Sequence, residues 1–241
     1  TGGSGDIGSA IATALAAAGA DVAISYMGDS NRASSTINAV KERGRRSLAV
    51  QLDQRDPASI DAAATKVVEE FGRLDILVNN AAWNIGIPFG DLTALTADIW
   101  DRLLETNLRG PFLLARALAP YLRAHGSGRI VNIASTGGLL PASSSIGYSS
   151  SKAGLIHLTR CLAVALGPQV TVNCIAPGLV EGTRMAKRVP EAVVNGALKQ
   201  VVLGRTGSAQ DIAEQVVTFC RAESDTGQLV VVDGGMPGAM R

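Results

Sequence analysis

The feature that most constrains this chain is the grouping of its apolar residues. Short continuous runs at 21–26, 47–52, 74–78, 129–134, 170–175 and 228–232 alternate with longer stretches of helical spacing. A run without polar alternation suits a strand buried on both faces, as in a parallel sheet. Regular alternation with helices implies right-handed crossovers. The expected fold class is therefore α/β, a Rossmann-like doubly wound parallel sheet in three α/β/α layers. No linker, repeat or low-complexity segment interrupts 1–241, which reads as one domain. Residues 182–207 alone lack a clear place in the sheet.

Local signals place the helices. Residues 9–18 form an Ala/Ile/Leu helix closed by Gly19, and 33–43 a second ending at Gly44. Asp56 and Pro57 have the N-cap and N1 chemistry of a helix running to Phe71. Thr96 caps a helix from Ala97, and 107–124 and 148–166 read as long helices. Ser208 with Asp211 three residues on resembles a capping box for a helix through Cys220.

Bulk composition removes several classes of function. Hydrophobic residues are 46% and charged residues 18%, so a sizeable core forms and global disorder is excluded. A net charge of +1 gives no argument for nucleic acid or an anionic membrane. No apolar run reaches the ~18 residues of a membrane span. Cys161, Cys174 and Cys220 are scattered and read as thiols of a reducing compartment, so a cytoplasmic protein is expected. His125 and His157 do not stand at ligand spacing to them, so no metal site is expected.

Chemistry in an open parallel sheet gathers beyond the carboxyl ends of the strands. The turn T-G-G-S-G-D-I-G at 1–8 leads into a helix and then a strand, the phosphate-cradling half of a βαβ unit. The strand that should precede the turn is expected to lie outside the sequence. Ser25-Tyr26, Asp53, Asn79 to Ala82, Ser135 and Pro177-Gly178 fall at the other strand ends. Tyr148 and Lys152, four apart, share one helix face. A phenol titrates near ~10, and an adjacent ammonium favours its phenolate. Alone the pair reads as a solvated face. Ser135, ending the preceding strand, would put a hydroxyl across the same cleft.

These stations together resemble the short-chain dehydrogenase/reductase family of the single-domain type, and 3-oxoacyl-carrier-protein reductase-like carbonyl reductases within it. The resemblance runs from T-G-x-x-x-x-I-G at Thr1 through Asn79-Asn80-Ala81, Asn107 in T-N-L-R-G-P-F, Ser135, Tyr148-x-x-x-Lys152, Asn173 and Pro177-Gly178 to V-D-G-G at Val232. It implies hydride transfer between a nicotinamide and a ketone or secondary alcohol. Tyr148 would be the general acid/base and Ser135 would bind the substrate oxygen. Lys152 would hold the nicotinamide ribose and lower the tyrosine pKa, and Asn107 would hold a water linking Lys152 to solvent. Thr1, Gly2, Ser4, Ile7 and Gly8 would surround the pyrophosphate and adenosine ribose, and Asp53 the adenine. Asn79 and Ala81 would lie along the cofactor, and Pro177, Gly178 and Val180 would border the nicotinamide.

An acidic residue at the end of the second strand would select NAD(H). Ser25-Tyr26 stand there instead, with Arg32 the nearest cation, so NADP(H) is expected over NAD(H). Trp83, Leu139, Leu140, Ser145, Leu179 and Met185 would line a largely apolar pocket for a neutral small-molecule carbonyl or alcohol. Residues 182–207 would supply a lid, mobile over 182–199. The apolar faces of the two long helices would pair subunits into a homodimer or homotetramer. Three departures stand out: Asp6 replaces the second signature glycine, Ala82 replaces another, and Thr183 falls one residue late. Asp6 leaves open an alternative, a non-catalytic dinucleotide-binding sensor or partner subunit on the same fold. Intact Ser135, Tyr148 and Lys152 argue against it, because binding alone needs no proton donor.

Overall fold

A computed structural model describes residues 1–28, 30–141 and 143–240. In chain order the elements are α1 (Asp6–Ala17), β1 (Val22–Tyr26), α2 (Ser30–Lys41), β2 (Ser47–Gln51), α3 (Pro57–Phe71), β3 (Ile76–Asn79), α4 (Ala97–Leu104), α5 (Gly110–Arg123), β4 (Gly128–Ile133), α6 (Ile146–Leu166), β5 (Val170–Pro177), α7 (Glu191–Gln200), α8 (Ala209–Arg221) and β6 (Leu229–Val232). A π-helical turn, Glu105–Arg109, joins α4 to α5.

Every strand pairing is parallel. β1 pairs with β2, and β3, β4, β5 and β6 follow in that order. Ile130 and Val131 of β4 are adjacent and each 1% exposed, yet they enter different cores. Ile130 packs with Ile60 of α3, Leu118 of α5 and Leu162 of α6. Val131 packs with Ile11 of α1, Val40 of α2 and Ile212 of α8. Successive strand side chains point to opposite faces, so a strand covered on both sides must be apolar throughout. That is the origin of the continuous runs, and it gives the three-layer architecture. Each such buried side chain contributes roughly 1.5–3 kcal/mol of transfer free energy.

The edges of β1 and β3 face each other across a groove of about 320 Å³ lined by Val22, Ile24, Ile76 and Val78. Gly3 N–H donates to the Ser25 carbonyl across one side of it.

Caps stand where expected. The Asp56 carboxylate accepts from Ala58 N at 3.0 Å, and Gly72, at φ 76°, closes α3 in the left-handed region. Thr96 caps α4, and Ser208 and Asp211 form a reciprocal box on α8. Other boundaries differ. α1 begins at Asp6 rather than Ser9, and α2 at Ser30 rather than Ala33. The helix expected from Asn107 is the second half of a continuous helical stretch from Ala97, with Asn107 inside its π turn. α7 lies within 182–207 and buries none of its residues.

Candidate active site

The site begins at the glycine turn. Gly2 sits at φ +64°, which glycine adopts without a Cβ penalty. Its N–H donates to Ser25 Oγ at 3.3 Å. A Cβ on Gly8 would lie 2.2 Å from the Gly2 carbonyl oxygen, so the start of α1 packs directly onto the turn. Gly5 is the N-cap, and no side chain caps α1. First-turn N–H groups and the positive dipole end therefore face the turn, a donor set that fits a pyrophosphate.

Asn80 holds this turn from the other side. Its Nδ2 donates to the carbonyls of Thr1 (3.0 Å) and Gly2 (3.3 Å). The N–H groups of Asn80 and Ala81 both donate to Thr1 Oγ1. Asn79, expected along the cofactor, turns its side chain the other way. It is 2% exposed and donates to Asn132 Oδ1 at 2.8 Å, and Asn132 donates in turn to Thr159 Oγ1. The pleat decides this: neighbours at a strand end point to opposite faces.

The other residues expected at the cofactor make contacts of their own within the protein. Ser25 is buried and supports the turn through its hydroxyl. Tyr26 is half-buried and packs, with Ile7, against the α1/α2/α8 core. Val180 is in that core as well and is bridged to Gly207. Asp53 follows β2, and both its oxygens accept from Arg55. That guanidinium holds the carboxyl below its ordinary range. Neighbouring Gln54 was not foreseen. Buried, it donates to the carbonyls of Ala81 (3.1 Å) and Thr106 (2.6 Å), tying the end of β2 to the loop after β3 and to the π turn. Ser4 is half-buried on the turn, and Pro177 ends β5 in the interior. Gly178 approaches Asp233 so closely that a Cβ would lie 2.5 Å from that side chain.

Ser135, Tyr148 and Lys152 converge. Ser145 caps α6 by accepting from Tyr148 N at 3.2 Å, which fixes the start of the helix and the tyrosine on its first turn. The Ser135 side chain lies beside the Tyr148 hydroxyl and acts to lower its pKa. Ser135 Oγ also accepts from Gly137 N, which orients it. Lys152 Nζ lies 5.7 Å from the Tyr148 ring centroid and donates to the Ile133 carbonyl at 2.8 Å. Burial raises the Tyr148 pKa and outweighs the opposing effect of Ser135. The lowering expected from Lys152 does not set the direction here. Burial also pulls Lys152 down to about 8. Asn107, 1% exposed, joins the group at one remove: its Oδ1 accepts from Trp83 N, and its Nδ2 donates to Trp83 O and Ser151 Oγ.

The expected substrate pocket survives only in part. Ser145 is 0% exposed, and its hydroxyl serves as the helix cap, so it lines no pocket. The Trp83 ring is stacked by Arg102 at 4.2 Å to the centroid. Leu139 packs beside Leu155 and Cys174, while Leu140 and Leu179 are partly exposed. Met185 is 50% exposed, and Asn84 Nδ2 donates to its sulfur at 3.8 Å. Thr183 is spent locally, donating to Val180 O at 2.7 Å. Among the described residues no group of His, Cys, Asp or Glu could hold a metal, and no helix is long and apolar enough to cross a membrane.

The family model described as Enoyl-(Acyl carrier protein) reductase matches residues 3–237. The chain is a short-chain dehydrogenase/reductase. This short-chain dehydrogenase/reductase is 37% identical over 236 residues to the granaticin polyketide synthase putative ketoacyl reductase 2 of Streptomyces violaceoruber, covering 98% of this chain and 93% of that protein. It is similar in structure to a short-chain dehydrogenase from Burkholderia cenocepacia J2315 in complex with NADP, with a TM-score of 0.88, 37% identity and coverage of 98% and 95%. An NAD+-bound xylitol dehydrogenase aligns with a TM-score of 0.91 at 26% identity, covering 97% and 96%. The chain is accordingly an NAD(P)-dependent oxidoreductase on a Rossmann-like single domain.

Proposed function

We propose that this enzyme is a carbonyl reductase that uses NADP(H) in preference to NAD(H), with Tyr148 as the proton donor. The observation that carries the reading is the convergence of Ser135 and Lys152 on the Tyr148 phenol, with Lys152 Nζ 5.7 Å from its ring centroid. A bound nicotinamide supplies or accepts the hydride. Tyr148 gives its proton to the carbonyl oxygen of the substrate, or takes it from the alcohol in reverse. Ser135 donates a hydrogen bond to the same oxygen, where negative charge builds. Lys152 contributes positive charge beside the phenol and would hold the ribose of a bound nicotinamide nucleotide. Burial raises the tyrosine pKa, so the phenol is protonated at neutral pH. A non-catalytic dinucleotide-binding role has no use for this pair.

Cofactor preference rests on the end of β1. Ser25, Tyr26 and Met27 carry no carboxylate to repel a 2′-phosphate. The residues expected to line the pocket, Trp83, Leu139, Leu140, Leu179 and Met185, are uncharged, which supports a neutral, fairly hydrophobic ketone. Residues 182–207 act as its lid. The subunits assemble as homodimers or homotetramers through the α4–α5 stretch and α6, where Leu104, Leu108 and Phe112 of the first and Leu158 of the second line a groove of about 560 Å³. The free cysteines Cys161, Cys174 and Cys220 fit a cytoplasmic location.

Initial rates on a panel of neutral and carboxylate-bearing ketones, with each cofactor, test the reading. A higher kcat/KM with NADPH and turnover of the neutral ketones are expected. A higher value with NADH, or turnover of carboxylate-bearing ketones alone, would overturn the respective part.

A further inference from the structure

The Asp6 carboxylate connects two parts of the chain that the topology keeps far apart. It projects from the first turn of α1, and its Oδ1 accepts from the Arg32 guanidinium of α2 at 2.8 Å. Its Oδ2 accepts from the backbone N–H of Arg184 at 2.8 Å, and the Arg184 side chain closes to 3.6 Å of the same oxygen. Arg184 lies 178 positions away, at the start of the segment expected to cover the substrate.

That segment is held at its base and loose beyond it. Val180 bridges to Gly207, pinning the two ends together. Gly182, at φ +79°, turns the chain out of the core, and Thr183 is buried as an anchor. Beyond this point α7 buries nothing. The next two residues grip opposite walls of the cleft. Arg184 holds Asp6 on the glycine turn, and Met185 accepts from Asn84 in the loop after β3. A glycine at position 6 could make neither the ion pairs nor the hydrogen bond to Arg184.

We infer that Asp6 is a positioning residue that ties residues 183–189 to the glycine turn, so that the segment closes over a bound dinucleotide. This deepens the reading of 182–207 as a lid and rests on it. The acid at this position is then no defect of the phosphate turn. Two arginines engage the carboxylate, and its backbone contact sets where the segment crosses the cleft. Losing the contact lets the segment open, which weakens retention of cofactor and substrate without touching the proton donor.

The test compares wild type, Asp6→Gly, Asp6→Asn and Arg184→Ala. Two readouts are used: amide hydrogen exchange of 183–189, and NADPH affinity from the fluorescence of the reduced nicotinamide. Asp6→Gly is expected to speed exchange at the Arg184 amide and weaken NADPH binding roughly five- to tenfold, the scale of one partly exposed hydrogen bond to a charged group. kcat on a responsive ketone should stay within about twofold while KM rises. Asp6→Asn keeps an acceptor for the Arg184 N–H and should recover most of the affinity. Arg184→Ala should fall between, since the backbone contact remains. Unchanged exchange and unchanged NADPH affinity in Asp6→Gly would overturn the inference, as would an Asp6→Asn no better than Asp6→Gly. A loss of kcat at constant KM would also overturn it. If wild type bound NADPH but turned over no ketone, the reductase reading would fail while the exchange comparison still judged the tie.

Discussion

At the scale of single residues the site is built on two buried groups displaced in opposite directions. Burial raises the Tyr148 phenol and pulls the Lys152 ammonium down to about 8. Tyr148 therefore stays protonated through the neutral range, and Lys152 is the first of the two to lose its proton as pH rises. Carbonyl reduction is expected to run at a constant kcat/KM from pH 6 to about 7.5. Above pH ~8 it should fall with a single proton dependence, as the charge beside the phenol disappears. A pH–rate profile measured at saturating NADPH checks this. A limb that rises through pH 8, the behaviour of a phenolate base, would contradict it. Asn79 and Asn80 carry a second lesson at this scale. The sequence displays both asparagines at a strand end. Only the phase of the pleat tells which one reaches the Thr1 and Gly2 carbonyls and which is sealed against Asn132.

Among the elements, α6 does most to assemble the chemistry. Ser145 accepts from Tyr148 N at the helix start, and Tyr148 and Lys152 follow on one face. Ser145→Ala is expected to cost about 1–2 kcal/mol, the loss of a fully buried N-cap. It should also lower kcat more than it raises KM, because the tyrosine is set by that cap. Denaturant unfolding together with steady-state kinetics measures both, and an unchanged midpoint would contradict the assignment. The sequence showed that a helix presents Tyr148 and Lys152, because the i, i+4 spacing is local. It did not show that the helix starts two residues earlier, at Ile146, so Ser145 read as a pocket residue rather than a cap. The same limit applies to Asn107, whose place inside a π turn is set by tertiary fit, and to Gln54, whose partners Ala81 and Thr106 are distant in sequence. The caps at Asp56, Thr96 and Ser208 were legible because their partners lie two or three residues away.

For the whole molecule, apolar patterning alone implied the three-layer parallel sheet, since each run must satisfy a core on both faces. Assembly is the next level. Leu108 and Phe112, the latter 42% exposed, flank the groove on α4–α5. Phe112→Asp is expected to convert a dimer or tetramer into smaller species at micromolar concentration. Light scattering of both proteins measures this, and a wild type that is monomeric throughout would contradict the assembly. The central claim is that one folded site separates proton donation from cofactor binding. Its most direct test is Tyr148→Phe, followed by the absorbance of the reduced nicotinamide and by NADPH fluorescence titration on the same preparation. The expected result is a fall in kcat of about 10³-fold, with NADPH affinity within about threefold of wild type. A variant that keeps its rate within tenfold, or that loses NADPH affinity in step with rate, would contradict the account.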